Sequence, residues 1–416
     1  MALGYGPRCV PVMQITQAAV GVCDLMWLVD GSLPEMRQMT ELLNRFGPVV
    51  DISGLGVAQL LKELSAPYEP DGIVTFLDAN MTTFAEVAEA LNLPFHSNFT
   101  AEALTDKVAQ RQTLQDAGLA MPMFVPIRFD QSAVDITATL DAFDWPAVLK
   151  PRSAQGSRYT FLVQDLAHLD ELLRALGAAR PDMVLEGYLA DDPARADEPY
   201  ASYVSVESVV ADGHISHLAL TGRFPMAENF RETGFFIPAR LNDGDCRDAL
   251  ALATSAIEAL KVRTGCLHTE VKFTPEGPRV IEVNGRVGGG VPEMLDRATA
   301  SEFGLVEMIL RISLGEDPLV DGPVATSRIG YRFFLQPPAV SATVASISGV
   351  DAISEHPGVD AITLHQGPGA DLDWRDGSRN HILAVVGSAE TYSELEAVNN
   401  LLSNEVTVSY ANVSHY

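Results

Sequence analysis

Residues 264–290 decide the fold, and they read Thr-Gly-Cys-Leu-His-Thr-Glu-Val-Lys-Phe-Thr-Pro-Glu-Gly-Pro-Arg-Val-Ile-Glu-Val-Asn-Gly-Arg-Val-Gly-Gly-Gly. Two runs of alternating residues flank a turn signal at 274–277, and this pattern predicts a β-hairpin. Because side chains alternate between the two faces of a strand, His268, Glu270 and Lys272 share one face of the first strand.

The second strand of this hairpin also has a polar face, formed by Glu282, Asn284 and Arg286. Its other face is apolar and comprises Val280, Ile281 and Val283. If the two polar faces coincide, Glu270, Glu282 and Asn284 bring together three oxygen donors, the ligand type that Mg²⁺ prefers. The alternative is a solvated face with cross-strand ion pairs. Against that alternative, the strand runs into three glycines at 288–290, which let the backbone approach a ligand closely.

The sequence Glu-Val-Asn-Gly-Arg-Val-Gly-Gly-Gly at 282–290, after His-Thr-Glu at 268–270, resembles the ATP-grasp family of carboxylate–amine ligases. It is most similar to the branch that contains the amino-acid (dipeptide) ligases. The resemblance implies that the chain binds ATP, with Mg²⁺ (or Mn²⁺) held by Glu270, Glu282 and Asn284.

The resemblance also implies roles for residues around the metal site. Arg286 is expected to contact the transferred phosphate or the acyl phosphate, and Arg286 and Gly289 are expected to bind substrate. Arg223 resembles the family's second cation near that phosphate. His268 is expected either to polarise the acyl carbonyl or to orient Glu270.

A second signal follows the apolar strand at 146–149, which ends in Lys150 and continues into the loop 151–158. A lysine together with loop N–H and hydroxyl groups suits phosphate binding, and an ordinary hairpin turn is the alternative. The loop residues with this role are Ser153, Gln155, Gly156 and Ser157. The arrangement resembles the strand lysine and the phosphate-covering loop of ATP-grasp proteins.

The remaining nucleotide contacts also come from the resemblance. Lys107, on a helix predicted over residues 100–118, is expected to reach the ATP phosphates. Glu186 and Leu189 belong to a segment that resembles the hinge beside the adenine. The loop at 190–199 is longer than in relatives, and the residue that holds the ribose stays open. The candidates are Glu198, Tyr203 and Glu207.

Composition limits the partners of this chain. The net charge of −27 argues against nucleic acid or an anionic membrane as a partner, because phosphate binding needs Lys and Arg. The four cysteines are scattered without metal-ligand or disulfide spacing, which indicates reduced thiols and a cytoplasmic location. No apolar run has the length of a membrane span, and no signal peptide is expected.

The length of 416 residues predicts two to four domains. Residues 1–98 alternate strand and helix patterns, which predicts a Rossmann-like domain with a parallel sheet. Apolar runs and helical spacing predict a strand over 22–29 and helices over 34–46, 83–91, 165–176 and 294–314. Asp212-Gly213 predicts a type I′ hairpin. The resemblance implies that this domain precedes a two-subdomain ATP-grasp fold, small at 99–190 and large at 191–320. A C-terminal α/β extension at 321–416 packs on the large subdomain, and no residue in it receives a chemical role. The expected fold class is therefore α/β and α+β.

Residues 231–238 resemble the segment that lines the amino-acid pocket, and Glu232 is the candidate ligand there. A solvated loop carboxylate is the alternative. Together these features predict an ATP-dependent ligase that joins a carboxylate, expected to be an amino acid, to an amine through an acyl phosphate. We expect it to act in specialised peptide metabolism. The substrates are small molecules, and the family resemblance raises the expectation of a homodimer. The alternatives are an ATP-grasp kinase or carboxylase and a non-catalytic nucleotide-binding regulator.

Overall fold

The computed structural model describes residues 1–7, 9–65, 68–140, 143–177, 179–195, 198–299 and 303–414. The N-terminal domain is a parallel sheet with strand order β3-β2-β1-β4. Its strands are β1 Ala2–Tyr5, β2 Met26–Val29, β3 Val49–Asp51 and β4 Ile73–Thr75. Its helices are α1 Val12–Ala19, α2 Pro34–Leu43, α3 Val57–Glu63 and α4 Met81–Leu91. Parallel strands need helical crossovers, as the strand–helix alternation predicted.

The next region begins with two helices, α5 Asn98–Thr105 and α6 Lys107–Asp116, where a single helix over 100–118 was predicted. That prediction is wrong because Asp106 has an extended backbone and its side chain accepts hydrogen bonds from the Val108 and Ala109 N–H groups. An N-cap of this kind begins a new helix, so Lys107 is the first residue of α6.

A four-stranded antiparallel sheet follows, with the order β5-β8-β6-β7. Its strands are β5 Phe124–Ile127, β6 Ala147–Pro151, β7 Phe161–Val163 and β8 Met183–Gly187. Two helices, α7 Ala133–Leu140 and α8 Leu166–Leu176, cover one hydrophobic face of this sheet. As predicted, β6 carries Lys150 near its end and leads into the loop that precedes β7.

The largest sheet has eight strands, in the order β13-β12-β9-β10-β11-β14-β18-β16. Residues 198–299 contribute β9 Tyr203–Ala211, β10 His214–Arg223, β11 Gly234–Ile237, β12 Gly265–Thr274 and β13 Gly277–Asn284. Helix α9 Asp243–Ala259 packs on this sheet. The Asp212-Gly213 turn between β9 and β10 has positive φ at both residues, as the predicted type I′ hairpin requires.

Two helices follow the glycine run, α10 Val291–Thr299 and α11 Leu305–Ser313. One long helix over 294–314 was predicted, and this was wrong, because Gly304 has a left-handed backbone with φ of 75° immediately before α11. Both helices bury an apolar face in the core that joins the N-terminal domain to the large sheet.

The C-terminal region continues the large sheet. The strands β14 Ile329–Leu335, β16 Val359–Leu364 and β18 Leu383–Ala389 pair at its far side. A small three-stranded sheet holds β15 Ser341–Ser348, β17 Asp371–Leu372 and β19 Thr407–Ser414, and the helices are α12 Val350–Ser354 and α13 Tyr392–Glu405. Within the described ranges, no helix has the length and apolar character needed to span a membrane.

Candidate active site

A cavity of about 540 Å³ lies between the N-terminal sheet, the four-stranded antiparallel sheet and the eight-stranded sheet. The segments that follow the neighbouring parallel strands β1 and β4 form one wall, which is where open α/β sheets place ligands. Apart from the ribose candidates, all but one of the site residues proposed from the sequence line this cavity: Lys107, Lys150, Gln155, Gly156, Ser157, Glu186, Leu189, Arg223, Glu232, His268, Glu270, Glu282, Asn284, Arg286 and Gly289. Ser153 is exposed at the start of the loop and does not line the cavity.

The central hairpin brings its two carboxylates together. Glu270 pairs with Glu282 across the ladder, and His268 pairs with Asn284. The register shifts between Glu270 and the next residue, so Ile281 is an extra residue on the second strand. This β-bulge explains the apolar face, since Val280 and Val283, three residues apart, are both buried.

These residues suit a hard cation such as Mg²⁺. Burial tends to raise the pKa of Glu270, but the hydrogen bond from His268 lowers it to about 2, so the carboxylate is ionised. The Asn284 amide nitrogen donates to the His268 carbonyl oxygen at 3.5 Å, which directs the amide oxygen to a ligand role. No group of three His, Cys, Asp or Glu side chains in the described part of the chain could hold a metal ion. Two carboxylates and an amide are oxygen donors of the kind that hold Mg²⁺ when its other ligands come from substrate phosphates and water.

His268 lies in a buried charged cluster. Its Nδ1 atom is 2.9 Å from both carboxylate oxygens of Glu207, and its Nε2 atom is 3.6 Å from the Glu270 carboxylate. Burial would lower the pKa of His268, but Glu207 raises it to about 9, so the ring is an imidazolium. The contacts with two carboxylates favour the orienting role of His268 over the alternative, polarisation of the acyl carbonyl.

Two lysines and an arginine approach the same cavity from the small subdomain. The Lys107 Nζ atom is 2.9 Å from the Glu282 carboxylate, and the Lys150 Nζ atom is 2.8 Å from the Glu186 carboxylate. The Arg111 Nε atom is 3.1 Å from the same Glu186 carboxylate. Burial would raise the pKa of Glu186, but Arg111 and Lys150 lower it to about 2. Glu186 therefore fixes the position of Lys150. It also belongs to the segment that resembles the hinge beside the adenine.

Arg223 and Glu232 face each other on the opposite wall. The Arg223 Nε atom is 3.9 Å from a Glu232 carboxylate oxygen, and the guanidinium stacks on the Phe235 ring at 4.1 Å. Burial raises the pKa of Glu232 against the opposing effect of Arg223. The solvated-loop alternative for Glu232 does not hold, because this carboxylate lines the cavity.

Arg286 connects the hairpin to the N-terminal domain. Its Nε atom is 3.3 Å from the Asp78 carboxylate, in the short 3₁₀ helix Asp78–Asn80 that follows β4. Asp78 is not the N-cap of this 3₁₀ helix, since that position is Leu77. Asp78 instead positions the guanidinium of Arg286.

Comparison with known proteins agrees with this geometry. No protein-family model matches the chain. An L-arginine-specific L-amino acid ligase of Bacillus subtilis is 24% identical over 291 residues, which cover 68% of this chain and 67% of the relative. An uncharacterized protein of Sinorhizobium fredii is 27% identical over 259 residues, which cover 61% of this chain and 51% of the relative. The matched segment thus spans between about half and two thirds of these curated relatives.

Among solved structures, an L-amino acid ligase from Bacillus licheniformis matches with a TM-score of 0.80 and 21% identity, and the match covers 99% of this chain and 98% of that chain. The chain has the ATP-grasp ligase fold. The resemblance predicted from the central hairpin is confirmed, and so is the predicted fold class.

The C-terminal region of this chain contributes cavity residues that were not predicted. Its cavity-lining residues are Arg332, Phe334, His365, Ser378, Arg379 and His381. The Ser378 N–H donates to the Gly156 carbonyl at 2.8 Å, and Arg379 donates to the Gln155 side chain at 2.9 Å. The loop at 151–158 therefore rests on the C-terminal region, to which the sequence assigned no chemical role.

The three ribose candidates lie in different surroundings in this structure. Tyr203 lines the cavity, whereas Glu207 is buried behind His268 and Glu198 forms an ion pair with Arg195 at 3.2 Å. Glu207 is thus a partner of His268 that sequence reasoning did not assign. In the sequence, Glu207 is marked only as a charged residue within an otherwise mostly apolar strand. Its contact with His268 depends on the pairing of β9 with β12, which the sequence does not reveal.

Proposed function

We propose that this chain is an ATP-dependent carboxylate–amine ligase whose carboxylate substrate is an amino acid. The observation that carries the proposal is one cavity that holds a carboxylate–carboxylate–amide set, two lysines and Arg286. The names of the relatives, an L-arginine-specific L-amino acid ligase and the alanine–anticapsin ligases of Bacillus subtilis, support it. We also propose specialised peptide metabolism as its setting. The free thiols of the four cysteines suggest the cytoplasm.

The proposed reaction has two steps. A substrate carboxylate oxygen attacks the γ-phosphorus of ATP, and ADP leaves, which gives an acyl phosphate. The nitrogen of a neutral amine then attacks the acyl carbon, inorganic phosphate leaves, and the nitrogen loses a proton as the amide forms. Of the alternatives, a kinase would not require an amine for product formation, and a carboxylase would require bicarbonate.

Each residue has a part in this scheme. Lys107 and Lys150 hold the ATP phosphates, and Glu270, Glu282 and Asn284 would hold Mg²⁺, which supplies charge neutralisation at the phosphates. Arg286, oriented by Asp78, stabilises the transferring phosphoryl group and then the oxyanion at the acyl carbon. His268 keeps Glu270 in position. Homodimer formation stays a prediction.

The experiment measures phosphate release from Mg²⁺-ATP with the twenty proteinogenic amino acids, singly and in pairs, and records product masses. Release that requires a pair, with a product mass equal to their sum minus water, supports the ligase. ATP-dependent phosphorylation of a single substrate without any amine requirement would contradict it in favour of a kinase.

A further inference from the structure

Arg332 is a charged residue of the cavity wall that the proposed reaction does not yet use. It lies in the middle of β14, which pairs with β11 on one side and with β18 on the other. This central strand gives the side chain a rigid base. Phe334, two residues later and on the same face, also lines the cavity, and its ring lies 5.4 Å from the Arg332 guanidinium.

The glycine run separates Arg332 from the metal-site residues. A Cβ atom at Gly288 would lie 2.5 Å from the His268 Nδ1 atom, and one at Gly290 would lie 3.1 Å from the Arg332 Cδ and Nη1 atoms. Gly290 also has a φ of 76°. Gly289, between them, has no atom within 4 Å of its Cβ position and lines the cavity. The backbone at 288–290 therefore runs from His268 to Arg332 along the wall of the open cavity.

The charge of Arg332 is weakly compensated. Its nearest carboxylate is that of Glu293, 4.0 Å from Nη1, and its buried Nε atom has no hydrogen-bond acceptor among the residues that the structure describes. By contrast, Arg111 and Arg286 have carboxylates at 3.1 Å and 3.3 Å. An under-compensated guanidinium at a cavity wall suits a ligand carboxylate, which can accept two parallel N–H···O bonds.

The chemistry of the proposed reaction decides which carboxylate this is. The carboxylate that reacts must meet the γ-phosphate beside Glu270, Glu282 and Arg286, across the glycine run from Arg332. When two amino acids with neutral side chains are joined, the acceptor amino acid keeps its carboxylate unreacted. We propose that Arg332 binds the carboxylate of the amine substrate and so selects an amino acid over a simple amine as the nucleophile. This inference rests on the proposed ligase function.

The test separates the acceptor site from acyl phosphate formation. The acceptors are hydroxylamine, the twenty proteinogenic amino acids and the primary amides of those amino acids. Hydroxylamine has no carboxylate, so hydroxamate production reports acyl phosphate formation alone. In Arg332→Met we expect an unchanged hydroxamate rate and an unchanged KM for ATP. The KM for the accepted amino acid should rise roughly 10- to 100-fold, to the value for its amide.

Two further variants make the outcome decisive. Arg328→Met is the matched control, because Arg328 pairs with Glu390 on the exposed side just before β14 and does not line the cavity. Arg332→Lys keeps the charge but loses the two-bond geometry, so we expect an intermediate KM, and it replaces Arg332→Met if that variant fails to fold.

Equal changes for amino acid and amide, or none for either, would overturn the role of Arg332. If the wild-type protein forms hydroxamate with none of the twenty proteinogenic amino acids as the carboxylate substrate, that result would instead overturn the proposed ligase function itself.

Discussion

The Glu282 carboxylate belongs to two parts of the site at once. It faces Glu270 across the hairpin and contacts the Lys107 Nζ atom at 2.9 Å. The carboxylate set and the phosphate-binding lysines are thus joined through one side chain, although they come from segments far apart in the sequence. Loss of this carboxylate would remove a proposed metal ligand and leave the buried Lys107 without its carboxylate partner.

We therefore predict that Glu282→Gln lowers ATP-dependent phosphate release by about 100-fold or more and raises the Mg²⁺ concentration needed for half-maximal rate. The amide keeps the shape of the side chain but lacks its charge. A Mg²⁺ titration of initial rates measures both effects. Glu258→Gln, at an exposed position of α9, is the control and should leave both unchanged. A normal Mg²⁺ response in Glu282→Gln would remove Glu282 from the metal site.

Lys150 allows a second test at the same scale. Burial lowers the pKa of this lysine against the opposing Glu186 carboxylate, which contacts it at 2.8 Å. Lys150→Met should raise the KM for ATP by about 10-fold or more, because one charge-assisted phosphate contact is lost, while the KM for the amino acid changes little. Steady-state kinetics with each substrate varied in turn checks this. The exposed Lys62→Met variant is the control, and an ATP affinity equal to wild type in Lys150→Met would exclude Lys150 from nucleotide binding.

At this scale, the sequence predicted residues whose roles follow from spacing within one strand. His268 and Glu270 are two residues apart on one strand and Glu282 faces Glu270 from the other strand of the same hairpin, so their convergence needed only local geometry. Arg332 and Glu207 could not be assigned in this way. Their roles depend on which distant strands pair, since β9 meets β12 and β14 meets β11 through non-local register.

At the scale of elements, the C-terminal turn at 376–379 holds the phosphate-covering loop. Gly377 has a φ of 71°, and a Cβ atom there would overlap the backbone of Gly156, Ser157 and Arg158. Ser378 receives a hydrogen bond from the Glu232 N–H at 2.9 Å. One turn therefore contacts both the nucleotide loop and the segment that carries Glu232.

We predict that Gly377→Ala displaces this loop, raises the KM for ATP by about 10-fold and speeds tryptic cleavage after Arg158, because loss of packing exposes the loop backbone. ATP kinetics and limited proteolysis measure the two effects. Gly369→Ala is a matched control, since Gly369 has a φ of 88° but no atom within 4 Å of its Cβ position. Equal effects in the two variants would assign the result to backbone strain and not to the loop contact.

The elements themselves were partly predictable. The helices α2, α4 and α8 follow clear periodicity in their sequences and were predicted close to their observed bounds. The strand β1 at Ala2–Tyr5 was missed, because its four buried residues carry no alternating pattern. The strand predicted over 22–29 shortens to Met26–Val29, since a turn at 20–22 follows α1.

At the scale of the whole molecule, His96 lies in the boundary between the N-terminal domain and the central hairpin. A small cavity beside it is lined by Phe76 from the first region and by Gly265 and Gly285 from the second. Burial lowers the pKa of His96 to about 4, with a small opposing effect from a hydrogen bond to the Gly285 backbone. Protonation of this ring would place an uncompensated charge between the two regions.

The sign of the pH effect follows from these values. The folded-state pKa of His96 is about 4 and the unfolded value is 6.5, so its neutral form stabilises the fold fully above pH 6.5. We predict that the free energy of unfolding falls by about 3 kcal/mol between pH 6.5 and pH 4 through this residue. His217, whose pKa burial also lowers, adds in the same direction. His268, with a pKa raised to about 9, stays protonated in the folded state while its unfolded form takes up a proton near pH 6.5, so it gives a small opposing gain in stability at the upper end of this interval.

Denaturant titrations at half-unit pH steps measure this loss of stability, and His96→Gln should remove most of it, because glutamine keeps an amide donor near Gly285 but does not titrate. The matched control is His214→Gln, at an exposed position of β10, which should keep the wild-type pH dependence. The carboxylates of Glu186 and Glu270, with pKa values held at about 2 against an unfolded value of 4.5, also lose stabilisation as the pH falls towards 4, so the difference between His96→Gln and the wild type at each pH isolates the contribution of the histidine. If His96→Gln loses stability with falling pH as steeply as the wild type, acid does not act through the boundary between the N-terminal sheet and the hairpin.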